Sequence, residues 1–138
     1  ILRMPENVEL LIKPCTEFTL NTDRIRLTQI LSNLLNNAIK HTNAGFIRLG
    51  YDIEENAVKF FVEDTGEGIP EDKLDTIFGR FTQLSNWSKG VGLGLAICKG
   101  LITQMEGTIS VKSKLNEGST FTVTLPVSDH TTKKQSTR

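Results

Sequence analysis

Apolar residues at positions 27, 30, 31, 34, 35, 38 and 39 follow the i, i+3, i+4, i+7, i+8 series that marks one face of a helix. Asn21-Thr22-Asp23 offers N-cap side chains just ahead of that series, and Gly45, after Asn43-Ala44, offers a stop. On either side the period changes to two. Val8–Ile12 and Phe18–Leu20 flank Pro14 and are predicted as edge-type strands, and Phe46–Ile53 and Ala57–Asp64 as adjacent strands joined by a turn at Glu54-Glu55-Asn56. A short helix is expected over Glu71–Phe78, behind Pro70. Residues 79–92 hold no sustained period and read as a long loop, of the kind used as a lid or binding segment. Leu93–Met105 is helical again, with Leu93, Ile97, Leu101 and Met105 at steps of four. Thr108–Val111 and Thr120–Leu125 close the chain as strands around Asn116-Glu117-Gly118. These elements imply an α+β fold, a two-layer α/β sandwich in which helices cover one face of a mixed sheet.

At 138 residues the chain is long enough for one hydrophobic core. Residues 9–127 are read as the domain, 1–8 as a linker and 128–138 as a disordered linker or tail, because no apolar residue follows Val127. The start at Ile1 and the polar end point to a piece of a larger protein. Sixteen Lys and Arg balance sixteen Asp and Glu, so no global field favours nucleic acid or an anionic membrane, and no apolar run approaches the roughly 20 residues of a membrane span. Cys15 and Cys98 match no metal spacing and are read as two reduced thiols in a cytoplasmic setting.

Three blocks carry candidate chemistry. The first helix contains Asn33-Leu34-Leu35-Asn36-Asn37-Ala38-Ile39-Lys40. At about 100° per residue, Asn33, Asn37 and Lys40 fall on one side of it, at the edge of the apolar stripe. Asparagine is a poor helix former, so three in five positions is a local cost that asks for a reason. One amide oxygen suffices as a protein ligand for a Mg²⁺ ion that bridges phosphates. The second block is Asp64-Thr65-Gly66-Glu67-Gly68-Ile69. By period two, Asp64 continues the row Val58, Phe60, Val62, an inward place that is costly for a carboxylate unless a donor such as a purine amino group meets it. Gly66 and Gly68 let the backbone come close to a base, and Glu67 reads as solvent-facing. The third is Gly90-Val91-Gly92-Leu93-Gly94-Leu95, leading into a helix N-terminus whose N–H groups attract phosphate. No strand precedes it, against a dinucleotide fold, and no Gly-Lys-Ser/Thr follows, against a P-loop.

In this order the blocks resemble the ATP-binding domain of sensor histidine kinases, within the class that includes gyrases, mismatch-repair ATPases and heat-shock chaperones; the resemblance runs roughly from Thr19 to Pro126. It implies the Bergerat-type ATP-binding fold, ATP and Mg²⁺ as ligands, and transfer of the γ-phosphoryl to a histidine. Nucleotide contacts are then expected at Asn33, Asn37, Lys40, His41, Asp64, Gly66, Gly68, Ile69, Phe78, Gly90, Gly92, Leu93, Gly94, Leu95 and Thr120. Asn37 would hold the metal, and Asn33, Lys40 and Arg80 would serve the transfer. His41 stands where the family often has an aromatic residue, and is either a ribose or phosphate contact or a plain surface histidine. Phe78-Gly79-Arg80-Phe81 resembles the family's phenylalanine box; Arg80 either reaches the γ-phosphate or is solvated. Many relatives carry arginine at the position of Gln83, and Lys89 is a weaker candidate for the same contact. Gly118-Ser119-Thr120-Phe121 resembles the last glycine box.

Where hydrolytic relatives place a water-activating glutamate, this chain has Asn33, and an amide has no useful basicity. That favours a kinase over an ATPase of the same fold. A degenerate nucleotide sensor or protein-binding module is the other rival, opposed by Asn37, Asp64 and the glycine runs. Neither His41 nor His130 lies in a His-Glu/Asp helix context, so the phosphoacceptor is expected on a separate dimerisation domain of the same protein, with a response-regulator receiver domain downstream. The resemblance further implies a cytoplasmic domain of a membrane-anchored sensor.

Overall fold

A computed structural model of the chain describes residues 7–12, 24–74, 77–78 and 89–126, with the backbone alone over 89–94. Five strands, β1 (Val8–Ile12), β2 (Gly45–Ile53), β3 (Ala57–Asp64), β4 (Thr108–Lys114) and β5 (Gly118–Pro126), form one sheet in the order β1-β2-β3-β5-β4. β1 runs parallel to β2, and the other three pairings are antiparallel. Two helices, α1 (Arg24–His41) and α2 (Lys89–Gln104), lie on one face. This is the mixed-sheet, two-layer sandwich expected from the pattern. β1 begins at Val8, one residue inside the stretch read as a linker, and Val8 is buried.

Alternation builds the core. Val58, Phe60 and Val62 of β3 and Phe121, Val123 and Leu125 of β5 point toward the helices. Ile30, Leu34 and Ala38 of α1 and Leu95, Cys98 and Ile102 of α2 meet them. Each large side chain buried this way contributes roughly 1.5–3 kcal/mol. α2 stops where Glu106 takes a left-handed backbone (φ 63°) and the Gly107 N–H reaches back to Ile102 O at 2.9 Å. Among the described residues no helix is long and apolar enough to cross a membrane.

Four expectations are corrected. The helix read over Glu71–Phe78 is a single 3-10 turn at Glu71–Lys73, bonded through Lys73 N–H to Pro70 O and Leu74 N–H to Glu71 O. Ile69 before the turn and Ile77 after it are both buried, and 75–76 lie outside the described residues. Of residues 79–92, read as a loop, those from Lys89 on belong to α2, whose first turns contain the glycine run, and 79–88 lie outside the described residues. Each glycine there costs about 1 kcal/mol relative to alanine, which is why the pattern suggested a later start. β4 continues past Val111 to Lys114, and β5 begins at Gly118 rather than Thr120. The apolar alternation ends early because inward positions are taken by Ser113 and Ser119, which satisfy each other at 2.7 Å. The strand read at Phe18–Leu20, the cap at 21–23, Cys15 and the tail 128–138 lie outside the described residues.

Gly68 has φ +75°, and a Cβ there would stand 2.2 Å from Lys114 O. Gly100, in α2, would present a Cβ to open space. Gly68→Ala should therefore lower stability by roughly 2 kcal/mol or more, through left-handed strain plus the collision with backbone. Gly100→Ala should raise it by roughly 0.5–1 kcal/mol. Urea unfolding midpoints of the two variants check both signs; a Gly68→Ala chain as stable as the parent would contradict the packing at this turn.

Candidate functional site

Asp64 ends β3 on the inward face, in register with Ile47 of β2 and Ser119 of β5, and is 5% exposed. Its Oδ1 accepts the Gly66 N–H at 2.8 Å, and the Ser119 backbone gives a second hydrogen bond. Burial pushes the carboxyl above its ordinary 3.8, outweighing the opposing pull of Gly66, Ser119 and His41. The result is a buried acceptor with a fixed direction.

The turn after Asp64 is docked on three sides. Thr65 N–H donates to Phe46 O at 3.1 Å, while Thr65 Oγ1 donates to Ala44 O at 3.1 Å and accepts the Phe46 N–H at 3.0 Å, which ties the turn to the start of β2. Glu67 N–H donates to His41 O at 3.0 Å, at the end of α1. On the third side, Asn116 N–H donates to Glu67 O at 2.7 Å and Ile69 N–H to Ser113 Oγ at 2.8 Å. A Cβ on Gly66 would lie 2.1 Å from His41 O, so only glycine lets the turn and the helix end meet.

α1 brings its asparagine face to this end of the sheet. Asn37 is 5% exposed, and its Oδ1 has no hydrogen-bond partner among the described residues. Thr42, just past the helix, is 1% exposed with an equally unpartnered Oγ1. Each such buried group costs about 1–3 kcal/mol unless something pairs with it. An unpaired, buried amide oxygen is an acceptor that a hard cation or a donor could meet. Asn33 is half-buried and hydrogen-bonds Cys98 of α2, whose thiol is pushed up to about 11 by burial and so stays protonated at neutral pH. Lys40 is exposed on the last turn, and His41 Nδ1 pairs with Glu67 Oε2.

Not every expected residue joins this cluster. Ile69 and Leu95 are closed into the core. Phe78 packs edge-on against Phe121 with ring centroids 6.1 Å apart, and Lys99 Nζ lies 5.9 Å from its centroid. Thr120 pairs with Glu63 and Lys112, so alternation turns it to the outer face of the sheet, opposite Asp64; Ser119 is the neighbour that faces inward. Gly90, Gly92, Leu93 and Gly94 occupy the first turns of α2. Arg80, Phe81 and Gln83 lie outside the described residues. A groove of about 310 Å³ beside the β4–β5 turn touches Asp64 but also Glu63, Lys112 and Thr120, and none of Asn37, Lys40 or His41 lines it. It belongs to the hairpin, and the acceptors gathered at the end of α1 form the candidate site. Sequence reasoning missed Ser113, Ser119, Thr42 and Glu67. The serines become legible once the strand register sets them beside Asp64, whereas nothing in the sequence pairs Glu67 with His41.

Because burial holds the folded-state pKa of Asp64 above 3.8, the folded chain binds that proton more tightly than the unfolded chain. This group therefore favours the fold more as pH falls through the window between the two values, and above it the ionised form is a cost. Asp64→Asn keeps an acceptor for the Gly66 N–H and should raise the urea midpoint of the ligand-free chain near pH 7, with the gap to the parent narrowing toward about pH 4. A gap independent of pH would show that the buried charge is not its source.

The sequence matches the family described as histidine kinase-, DNA gyrase B-, and HSP90-like ATPase over residues 22–129. It is 43% identical over 128 residues to the autoinducer 2 sensor kinase/phosphatase LuxQ of Vibrio vulnificus, covering 86% of this chain and 15% of that protein. It is 43% identical over 120 residues to the sensor histidine kinase RcsC of Escherichia coli, covering 84% and 13%. The chain thus spans less than a sixth of the length of these curated relatives. Among solved structures, full-length ShkA in complex with AMPPNP matches with a TM-score of 0.79 at 34% identity, over 91% of this chain and 26% of that one. The nucleotide-free catalytic domain of the histidine kinase ThkA matches with a TM-score of 0.77 at 31% identity, over 88% and 81%. By sequence and by fold, the chain belongs to the histidine kinase-, DNA gyrase B- and HSP90-like ATPase family, with sensor histidine kinases as its relatives.

Proposed function

We propose that the chain binds Mg·ATP and presents its γ-phosphoryl to a histidine on a separate dimerisation domain of the same sensor protein, on the cytoplasmic side, from which a response-regulator receiver domain takes it. The observation that carries the reading is the presence of two buried acceptors, the directionally fixed carboxyl of Asp64 and, on the last turns of α1, Asn37 Oδ1, which has no partner among the described residues. Asp64 accepts the adenine amino group. Asn37 Oδ1 would hold Mg²⁺, whose charge would offset that of the phosphates, and Lys40, one turn further along α1, would meet phosphate oxygens. The N-terminal turn of α2 offers N–H groups to the phosphates.

In the transfer the acceptor imidazole nitrogen forms a bond to the γ-phosphorus while the bond to the β,γ-bridging oxygen breaks. ADP leaves with the electron pair, and the imidazole proton passes to solvent. The chain contributes positioning and charge stabilisation, and no base is needed from it. Asn33 supports this over hydrolysis, because an amide has no useful basicity with which to activate water.

Calorimetric titration with Mg·ADP tests the pocket. The parent should bind, and Asp64→Asn should nearly abolish binding, because the amide can turn a donor toward the adenine amino group. Unchanged affinity would mean that the carboxylate does not read the base. Asn37→Ala should weaken binding in Mg²⁺ far more than in EDTA; an equal loss in both would remove Asn37 as the metal ligand. With labelled ATP, the chain alone should stay unlabelled and an added phosphoacceptor histidine domain should become labelled. Label on the chain itself would place the acceptor within it.

A further inference from the structure

Glu67 looks from the sequence like a solvent-facing residue of a glycine turn, yet three contacts converge on it. Its N–H donates to His41 O, its carbonyl accepts the Asn116 N–H, and its carboxylate pairs with His41 Nδ1. The two side chains come from segments 26 residues apart, and the pair is asymmetric in burial: the His41 side chain is 10% exposed and that of Glu67 50%. A half-exposed carboxylate thus reaches over a nearly buried ring.

We propose that Glu67 is a positioning residue for nucleotide binding, holding the His41 ring in one orientation and one tautomer at the end of α1. This rests on the nucleotide-binding reading above. A carboxylate only accepts, so the nitrogen facing it, Nδ1, carries a proton. Any contact of the ring with a ligand then goes through Nε2. A neutral ring held this way accepts from a ribose hydroxyl, and an imidazolium donates to a phosphate oxygen. Charged groups that face the ring among the described residues include Glu67 across the turn, Asp64, whose carboxyl His41 draws down, and Lys40 on the same turn of α1. Gly66 keeps the turn against the helix end, so the Glu67 carboxylate is delivered to the ring by backbone packing rather than by a flexible approach.

Two of the three Glu67 contacts are made by backbone and survive Glu67→Ala, so this variant removes the carboxylate while keeping the turn. In the 138-residue chain, Mg·ADP affinity is measured for the parent, Glu67→Ala, His41→Ala and the double variant. Glu67→Ala should weaken binding about five-fold in the parent and less than about two-fold when His41 is already alanine. Glu67→Gln, which keeps an acceptor oxygen, should recover part of the loss. Nitrogen-15 spectra of the imidazoles, with only His41 and His130 to assign, should show His41 protonated at Nδ1 in the parent and mixed tautomers in Glu67→Ala. Equal losses in both backgrounds, or an unchanged tautomer, would overturn the proposal. A parent chain that binds no nucleotide would sink the nucleotide reading instead, and the spectra would still decide whether Glu67 sets the ring.

Discussion

The backbone-to-backbone contact between the turn after β3 and the end of α1 is the constraint on which the site depends. Glu67 N–H caps the His41 carbonyl, and Gly66 lies so near that a single added carbon would collide with it. The same turn is bonded to the start of β2 through Thr65 and to the β4–β5 hairpin through Glu67 O and Ile69 N–H. One short segment therefore sets the spacing between the asparagine helix and the sheet. A displacement here would separate Asp64 from the face of α1, even with every core contact intact.

Around this joint the structure keeps polar groups where apolar ones would be more stable. Asp64 sits at the end of an inward apolar row and carries a burial cost. Asn37 and Thr42 are almost fully buried, with oxygens unpaired among the described residues. Three such departures fall within one corner of an otherwise well-packed core, and locally costly choices of this kind are the sign of a candidate site. The chemistry proposed for this corner needs fixed acceptors and donors rather than a reactive side chain, which suits phosphoryl transfer by positioning.

The neighbouring polar contacts hold these groups in place. Ser113 receives the Ile69 N–H, donates to Gly118 O and meets Ser119 Oγ, so the hairpin's inward hydroxyls continue the strand pairing after the apolar alternation stops. Cys98 donates to Ile30 O at 3.6 Å and also meets Asn33, linking α2 to the asparagine face of α1. The arrangement makes α2 part of the site's frame as well as the support of its glycine run.

The elements whose side-chain period is carried by large apolar residues were legible without coordinates. β1, β2 and β3 lie within a residue or so of where the pattern placed them and α1 holds its whole apolar series, because burial of one face is what forms them; the end of α1 was misplaced, since the helix stops at His41 and Gly45, read as its stop, opens β2. The inward direction of Asp64 follows from the same period of two. The pattern failed where backbone or polar contacts, rather than apolar burial, decide the local structure: the 3-10 turn at Glu71–Lys73, the helical glycines from Lys89, and the serine-paired ends of β4 and β5. Thr120 was assigned from a motif, and the strand register turned it to the outer face in favour of Ser119. The pairing of His41 with Glu67, the packing of Gly66 on the helix end and the unpaired oxygen of Asn37 join residues far apart in the chain, and no local period encodes distance across a fold. By itself the sequence determined the layers and the direction of the inward side chains, through hydrophobic periodicity. Which polar atoms meet, and which stay unpaired among the described residues, only the tertiary structure decided, because that depends on how closely backbones from separate elements can approach.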